Sequence, residues 1–236
     1  MRKNPLWTLK DNYPMVTETR TPTLLKVNEI YLSLQGESTY AGVPCVFVRL
    51  TGCPLRCVWC DTAYAFYNGE EQTLEKVLEK VDSFGIKTVE LTGGEPLAQE
   101  GAFPLLECLV EKGYRVLLET SGAVPVDRVP AAVVKILDVK CPGSGESEKN
   151  LWDNLEKLVR GQDEIKFVLQ DRRDYDYAKE IMARYVLAGR FTLLFSPVHG
   201  KLKSSDLAEW IIEDRLPVKF QVQLHKIIWP GETKGR

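Results

Sequence analysis

Seven short apolar runs recur along the chain, and between them the periodicity changes from that of a strand to that of a helix. The runs are "CVFVRL" (45–50), "TVELT" (88–92), "RVLLET" (115–120), "VVKILDVK" (133–140), "IKFVLQ" (165–170), "FTLLFSP" (191–197) and "FQVQLH" (220–225). Leu74, Val77, Leu78 and Val81 keep the i, i+3, i+4, i+7 spacing of one helix face, with Thr73 placed to cap its start. Further helices are predicted near 103–112, 150–160, 174–188 and 205–214. Strands alternating with helices of this length form βαβ units and a mainly parallel sheet. Seven strands are too few for a closed eight-stranded barrel. The predicted class is therefore α/β, an open and partial β/α barrel. A chain of 236 residues suits one buried core. We place that single domain at 26–236, behind a polar, proline-interrupted arm at 1–25.

Composition narrows the partners. A net charge of -2 gives no overall pull toward nucleic acid or an anionic membrane. No apolar run approaches the roughly 18 residues of a membrane span, and "MRKNPLWTLKDNYP" lacks the apolar core of a signal peptide. The chain is thus expected in the cytoplasm, where thiols stay reduced, and its six cysteines are not read as a disulfide framework. Cys45 and Cys108 lie in apolar stretches and read as buried structural thiols.

In folds of this kind the C-terminal ends of the strands carry function. Here those ends read "RLTGC" (49–53), "TGGEP" (92–96), "ETSG" (119–122), "DVKCPGSG" (138–145), "SPVHG" (196–200) and "QLHK" (223–226). The first leads into "CPLRCVWCDT", with Cys53, Cys57 and Cys60 inside eight residues. A structural zinc site would need a fourth Cys or His, yet no second CxxC exists and the two histidines, His199 and His225, are far along the chain. A redox dithiol would use Cys57 and Cys60 and leave Cys53 without a role. An iron–sulfur cluster with three thiolates and one open iron accounts for all three.

The spacing CxxxCxxC resembles that of the radical S-adenosylmethionine (SAM) superfamily. With "EIYLSLQGESTYAGVPCVFVRLTGCPLRCVWCDT" (29–62), "LTGGEPLAQ" (91–99), "ETSG" and "QLHK", the chain resembles the 7-carboxy-7-deazaguanine synthases over about 28–229. The resemblance implies a radical SAM fold with a [4Fe-4S] cluster on Cys53, Cys57 and Cys60. The open iron would bind the amino and carboxylate groups of SAM, and cleavage of SAM would give a 5′-deoxyadenosyl radical. That radical would act on 6-carboxy-5,6,7,8-tetrahydropterin, a small-molecule pterin, and ring contraction with loss of ammonia would yield 7-carboxy-7-deazaguanine. Mg²⁺, an electron donor such as flavodoxin or ferredoxin, and a homodimer are also implied.

The same resemblance assigns roles to single residues. Trp59, Cys60 and Asp61 match SAM contacts, as do Gly94, Glu119, Ser121, Asp138, Val139, Lys140, Ser196 and His199. Leu34, Gln35, Gly36 and Thr92 match substrate contacts, Arg49 the substrate-carboxylate arginine, and Thr62 the magnesium ligand. No residue is singled out as a catalytic acid or base. Read without the resemblance, Ser121 is equally a helix cap, Gly93-Gly94 a turn, Arg49 an exposed strand end and Thr62 a polar loop residue. The family often reads GEG where this chain has Gly36-Glu37-Ser38, and the chain runs past "HKIIW" to "PGETKGR". Two rivals remain at this point: a glycyl-radical activating enzyme, which shares the cysteine spacing, and a non-enzymatic metal-binding module.

Overall fold

The computed structural model describes residues 22–232, 234 and 235. In chain order the strands and α-helices are β1 (Leu24–Leu34), β2 (Pro44–Leu50), β3 (Glu70–Thr73), α1 (Leu74–Asp82), β4 (Thr88–Gly93), α2 (Ala102–Glu111), β5 (Arg115–Thr120), β6 (Val134–Val139), β7 (Glu164–Leu169), α3 (Arg172–Arg184), β8 (Thr192–Pro197), α4 (Ser204–Glu213), β9 (Lys219–Phe220) and α5 (Leu224–Ile228). They form one sheet in the order β3-β1-β2-β4-β5-β6-β7-β8-β9. β1 is antiparallel to both β2 and β3, while every neighbouring pair from β2 to β9 is parallel. The sheet is open, with β3 and β9 at its edges, and this is the mainly parallel α/β class expected.

The two faces of the sheet are set by strand alternation. Val133, just before β6, and Leu137 and Val139 on it join the large core beneath the helices. Val134 and Ile136 point the other way and form a small inner cluster with Leu117 and Leu194, against which Tyr40 packs. That inner cluster floors the concave side. Above it the inner residues become polar, and there the site forms.

Helix α1 starts as predicted: Thr73 Oγ1 accepts from the Lys76 amide at 3.4 Å, and Val77 and Val81 are buried. α2, α3 and α4 also lie where expected. Four readings needed correction. The helix expected at 150–160 is a 3-10 turn, Trp152–Glu156, because the buried Asn154 amide takes up loop backbone instead. It accepts from Val126 N at 3.1 Å and donates to Gly122 O and Val124 O. Of the strand expected at 220–225, only Lys219–Phe220 pairs. Gln221 and Gln223 spend their side chains on Ser38, Glu37 and Asp61, and α5 begins at Leu224. Strands β1 and β3 went unpredicted, because β1 is largely half-exposed and "EEQT" has no apolar residue. β1 begins at Leu24, so Leu24 and Leu25, taken as the end of the arm, belong to the sheet. Residues 1–21 of that arm lie outside the described residues.

Candidate active site

A cavity of about 410 Å³ opens at the C-terminal ends of the parallel strands. At one end stand Cys53, Cys57, Trp59, Cys60, Asp61 and Thr62, from the loop after β2. All three cysteines are free and partly exposed. The loop is held from two sides. Val58 N donates to Ser144 O at 3.0 Å, Arg56 N to Glu146 Oε1 at 2.6 Å, and Trp59 lies against Gly143. The Arg56 guanidinium binds Cys53 O at 2.8 Å and stands 4.4 Å from the Phe66 ring centroid.

Gly93 and Gly94 press against this loop. A Cβ on Gly94 would lie 2.2 Å from Gly52 O and 2.7 Å from Cys53 Cβ, and Gly93 holds φ +147 against Leu50. These glycines are therefore required for backbone to meet the cysteine loop, and Glu95 N seals the contact on Gly52 O at 2.8 Å. The Glu95 side chain is fully buried. It accepts from Thr120 Oγ1, Ser121 N, Ser121 Oγ and Leu97 N at 2.5–3.1 Å, tying β4 to β5. Ser121 is thus no helix cap. Its hydroxyl donates to Glu95 at 2.5 Å and accepts from Ala123 N at 3.4 Å.

The middle of the cavity is charged. Lys166 Nζ lies 2.8 Å from Glu119 and 3.0 Å from Glu37, nearly shielded from solvent. Lys140 Nζ lies 2.7 Å from Asp138 Oδ2, whose Oδ1 is buried and has no hydrogen-bond partner. Burial pushes the Glu119 carboxyl up to about 7, although Lys166 pulls it the other way. Burial opposes the charge on Lys166, but Glu119, Glu37 and Asp138 outweigh it and hold its ammonium well above the usual range. Burial also raises the Cys53 thiol and takes Cys57 to about 11, with Lys140 opposing in both. Burial thus disfavours both thiolates, and a metal centre would supply the compensating charge.

Arg49 also lines the cavity; its Nε pairs with Glu29 at 2.8 Å and its NH2 donates to the Tyr31 hydroxyl at 2.8 Å. Its remaining N–H donors have no hydrogen-bond partner among the described residues and border the cavity. Leu34 ends β1, Gln35, Gly36 and Glu37 follow it, and Thr92 lies near the end of β4; all line the cavity. The C-terminal segment closes over them. Leu224 N donates to Gly36 O at 2.9 Å, Gln223 Nε2 bridges Glu37 and Asp61, and Lys226 Nζ lies 2.8 Å from Asp61. His225 sits where a Cβ on Gly36 would be 2.3 Å from its Nδ1.

Of the residues singled out from sequence, two do not line the cavity. Val139 points into the helix-side core, because its neighbours Asp138 and Lys140 take the inner face. Ser196 is buried on β8, level with the cavity-lining Val168, and its hydroxyl has no hydrogen-bond partner. His199 does line the cavity, from the loop after β8. Lys166 and Glu90 were missed. Each is a charged residue inside an otherwise apolar run of a parallel sheet, and that break in pattern was the available signal.

The donor set fits a cluster. Among the described residues no three Cys, His, Asp or Glu side chains converge closely enough to hold a single metal ion. A tetrahedral zinc site needs that convergence. A cuboidal cluster, with each thiolate on a different iron, does not. The orphaned Asp138 Oδ1, on a cavity-lining residue, is a polar atom left for a ligand.

The Radical SAM superfamily model matches residues 47–139, the stretch from β2 to β6 that carries the cysteines. With the open parallel sheet, this makes the chain a radical SAM protein, a class that works with a [4Fe-4S] cluster and SAM. A 7-carboxy-7-deazaguanine synthase of Koribacter versatilis is 46% identical over 226 residues, covering 89% of this chain and 100% of that one. One from Chlorobaculum tepidum is 44% identical, covering 91% and 99%. The crystal structure of QueE from Escherichia coli superposes with a TM-score of 0.71 at 25% identity, over 86% of this chain and 95% of that one. The chain belongs to the 7-carboxy-7-deazaguanine synthase family, lyases of 7-deazapurine biosynthesis. No helix among the described residues is long and apolar enough to cross a membrane.

Proposed function

We propose that this chain converts 6-carboxy-5,6,7,8-tetrahydropterin to 7-carboxy-7-deazaguanine, with ring contraction and loss of ammonia. The observation that carries this reading is one cavity lined both by the three cysteines and by Arg49, whose guanidinium keeps donors without a hydrogen-bond partner among the described residues. Cys53, Cys57 and Cys60 hold the cluster. When bound, the cluster and SAM supply a 5′-deoxyadenosyl radical. Trp59, Asp61, Gly94, Glu119, Asp138 and Lys140 border the space for SAM, and Ser121 and Ser196 support its walls. Arg49 takes the substrate carboxylate, a pairing its planar fork suits. Leu34, Gln35, Gly36 and Thr92 bound the pterin, and the Gln223–Lys226 segment excludes water above it. Thr62 lines the cavity beside Cys60, with its hydroxyl 3.7 Å from the sulfur, and offers an oxygen to Mg²⁺. We place the protein in the cytoplasm, as a homodimer reduced by a flavodoxin- or ferredoxin-type donor.

Anaerobic incubation of reconstituted protein with SAM, a reductant and the carboxytetrahydropterin tests the reading. Deazaguanine product is expected, faster with Mg²⁺ than without. Intact substrate beside cleaved SAM would overturn it. Cys57→Ala is expected to lose both cluster iron and SAM cleavage.

A further inference from the structure

Glu90 lies at the centre of β4, in register with Phe47 on β2 and Leu117 on β5. It faces the concave side with Thr92 and Arg49, and it borders the cavity near the inner apolar floor. A carboxyl group there is costly unless it is partnered. Its one side-chain hydrogen bond among the described residues is from Gln35 Nε2.

Gln35 is held from every side. Its backbone N–H donates to Val43 O at 2.8 Å and its carbonyl accepts from Gly42 N at 2.7 Å. Its side-chain Oε1 accepts from Glu37 N at 3.0 Å, while Nε2 donates to Glu90. The amide therefore spans from the floor to the turn at 35–37. That turn carries Gly36 O, which anchors Leu224, and the Glu37 carboxylate, which binds Lys166 and Gln223. Without an acceptor at position 90 the amide has nothing below it and can rotate, releasing Glu37 N.

We propose that Glu90 is a positioning residue for substrate binding: it fixes the Gln35 amide, and through it the 35–37 turn that walls the pterin end of the cavity. Burial and the nearby Glu119 and Glu37 push the Glu90 carboxyl well above the usual range, with Lys166 and Arg49 opposing. Tyr31 and Cys45 also face it, and neither brings a positive charge. An uncharged side chain with a carbonyl oxygen should therefore replace it.

This inference rests on the proposed function, and the test separates the two. Holoenzymes of the wild type, Glu90→Gln, Glu90→Leu and Gln35→Leu are compared for iron content, SAM affinity, pterin affinity, KM and kcat. Glu90→Leu keeps the floor filled, and Gln35→Leu leaves β4 untouched should the first variant fold poorly. We expect Glu90→Leu and Gln35→Leu each to weaken pterin binding and raise KM about tenfold, as for loss of one buried polar contact. Iron content and SAM affinity stay at wild-type level, and the double variant is no worse than either single one. Glu90→Gln stays within about threefold of wild type, since the amide restores the acceptor. Pterin affinity unchanged in Glu90→Leu, Glu90→Gln as weak as Glu90→Leu, or additive losses in the double variant would each overturn the inference. If the wild type itself fails to bind the pterin, the proposed function falls instead.

Discussion

Two lysines are buried in neighbouring strands of this sheet, and they do opposite things. Lys135 on β6 faces the helices, with Nζ 2.9 Å from Asp163 Oδ2, and both side chains are essentially inaccessible. Asp163 is also bonded by Lys135 N and Val159 N at 2.9 and 2.7 Å, so the pair is closed: one charge against one, all oxygens used. Lys166 on β7 faces the cavity and meets Glu37 and Glu119, with Asp138 beside it in register. There the negative charge is in excess and part of it, Asp138 Oδ1, is unbonded. A closed buried pair supports the fold, whereas an open one with surplus acceptors awaits a ligand.

The comparison can be broken by substitution. Lys135→Met leaves Asp163 buried without its cation and should cost about 3–5 kcal/mol, roughly 10 °C in melting temperature. Adding Asp163→Asn should recover most of this while keeping the acceptor for the backbone amides, with the folded fraction turning over normally. Lys166→Met should do the reverse. Two carboxylates are then left facing each other across the cavity, and turnover should fall on the order of 100-fold, with a smaller change in melting. If Lys166→Met melts as low as Lys135→Met yet still turns over, the distinction fails.

Smaller effects sharpen it. Arg49→Lys keeps the charge but not the planar fork, so substrate KM should rise about tenfold with SAM binding unchanged. Glu119 tests the pH side. Its folded value is raised, so its contribution to stability is complete below the usual glutamate range and is lost as pH rises toward about 7. Glu119→Gln should therefore flatten the decline in melting temperature between about pH 5 and 7; an unchanged slope would assign that decline elsewhere. The smallest change concerns Ser38, in the turn behind Glu37, which holds φ +62 where the family often has glycine. Ser38→Gly should relieve up to about 1 kcal/mol of left-handed strain, detectable by melting, with KM unaltered.

Much of the fold was legible because parallel strands buried on both faces read as apolar runs, and the intervening helices kept their spacing. β1 escaped because an antiparallel strand with one wet face carries a weaker signal. The 220–225 segment misled because its alternating glutamines serve loop partners rather than strand pairing. At the site, the cysteines and strand-end residues were readable from motif and position. Glu95 was not readable as a structural staple, nor Ser121 as its partner, because the bond joins two strand ends that are 26 residues apart in sequence.

By itself the sequence determined the class of sheet, the face that works and the thiols that would hold a cluster. Those follow from local periodicity and from one short motif. Only the tertiary structure decided which charges stand together. Lys135 and Lys166 look alike in sequence, each inside an apolar run, and strand alternation sends one outward to a single aspartate and the other inward among several acids. A charge takes its meaning from its neighbours in space, and in a sheet those neighbours come from distant parts of the chain.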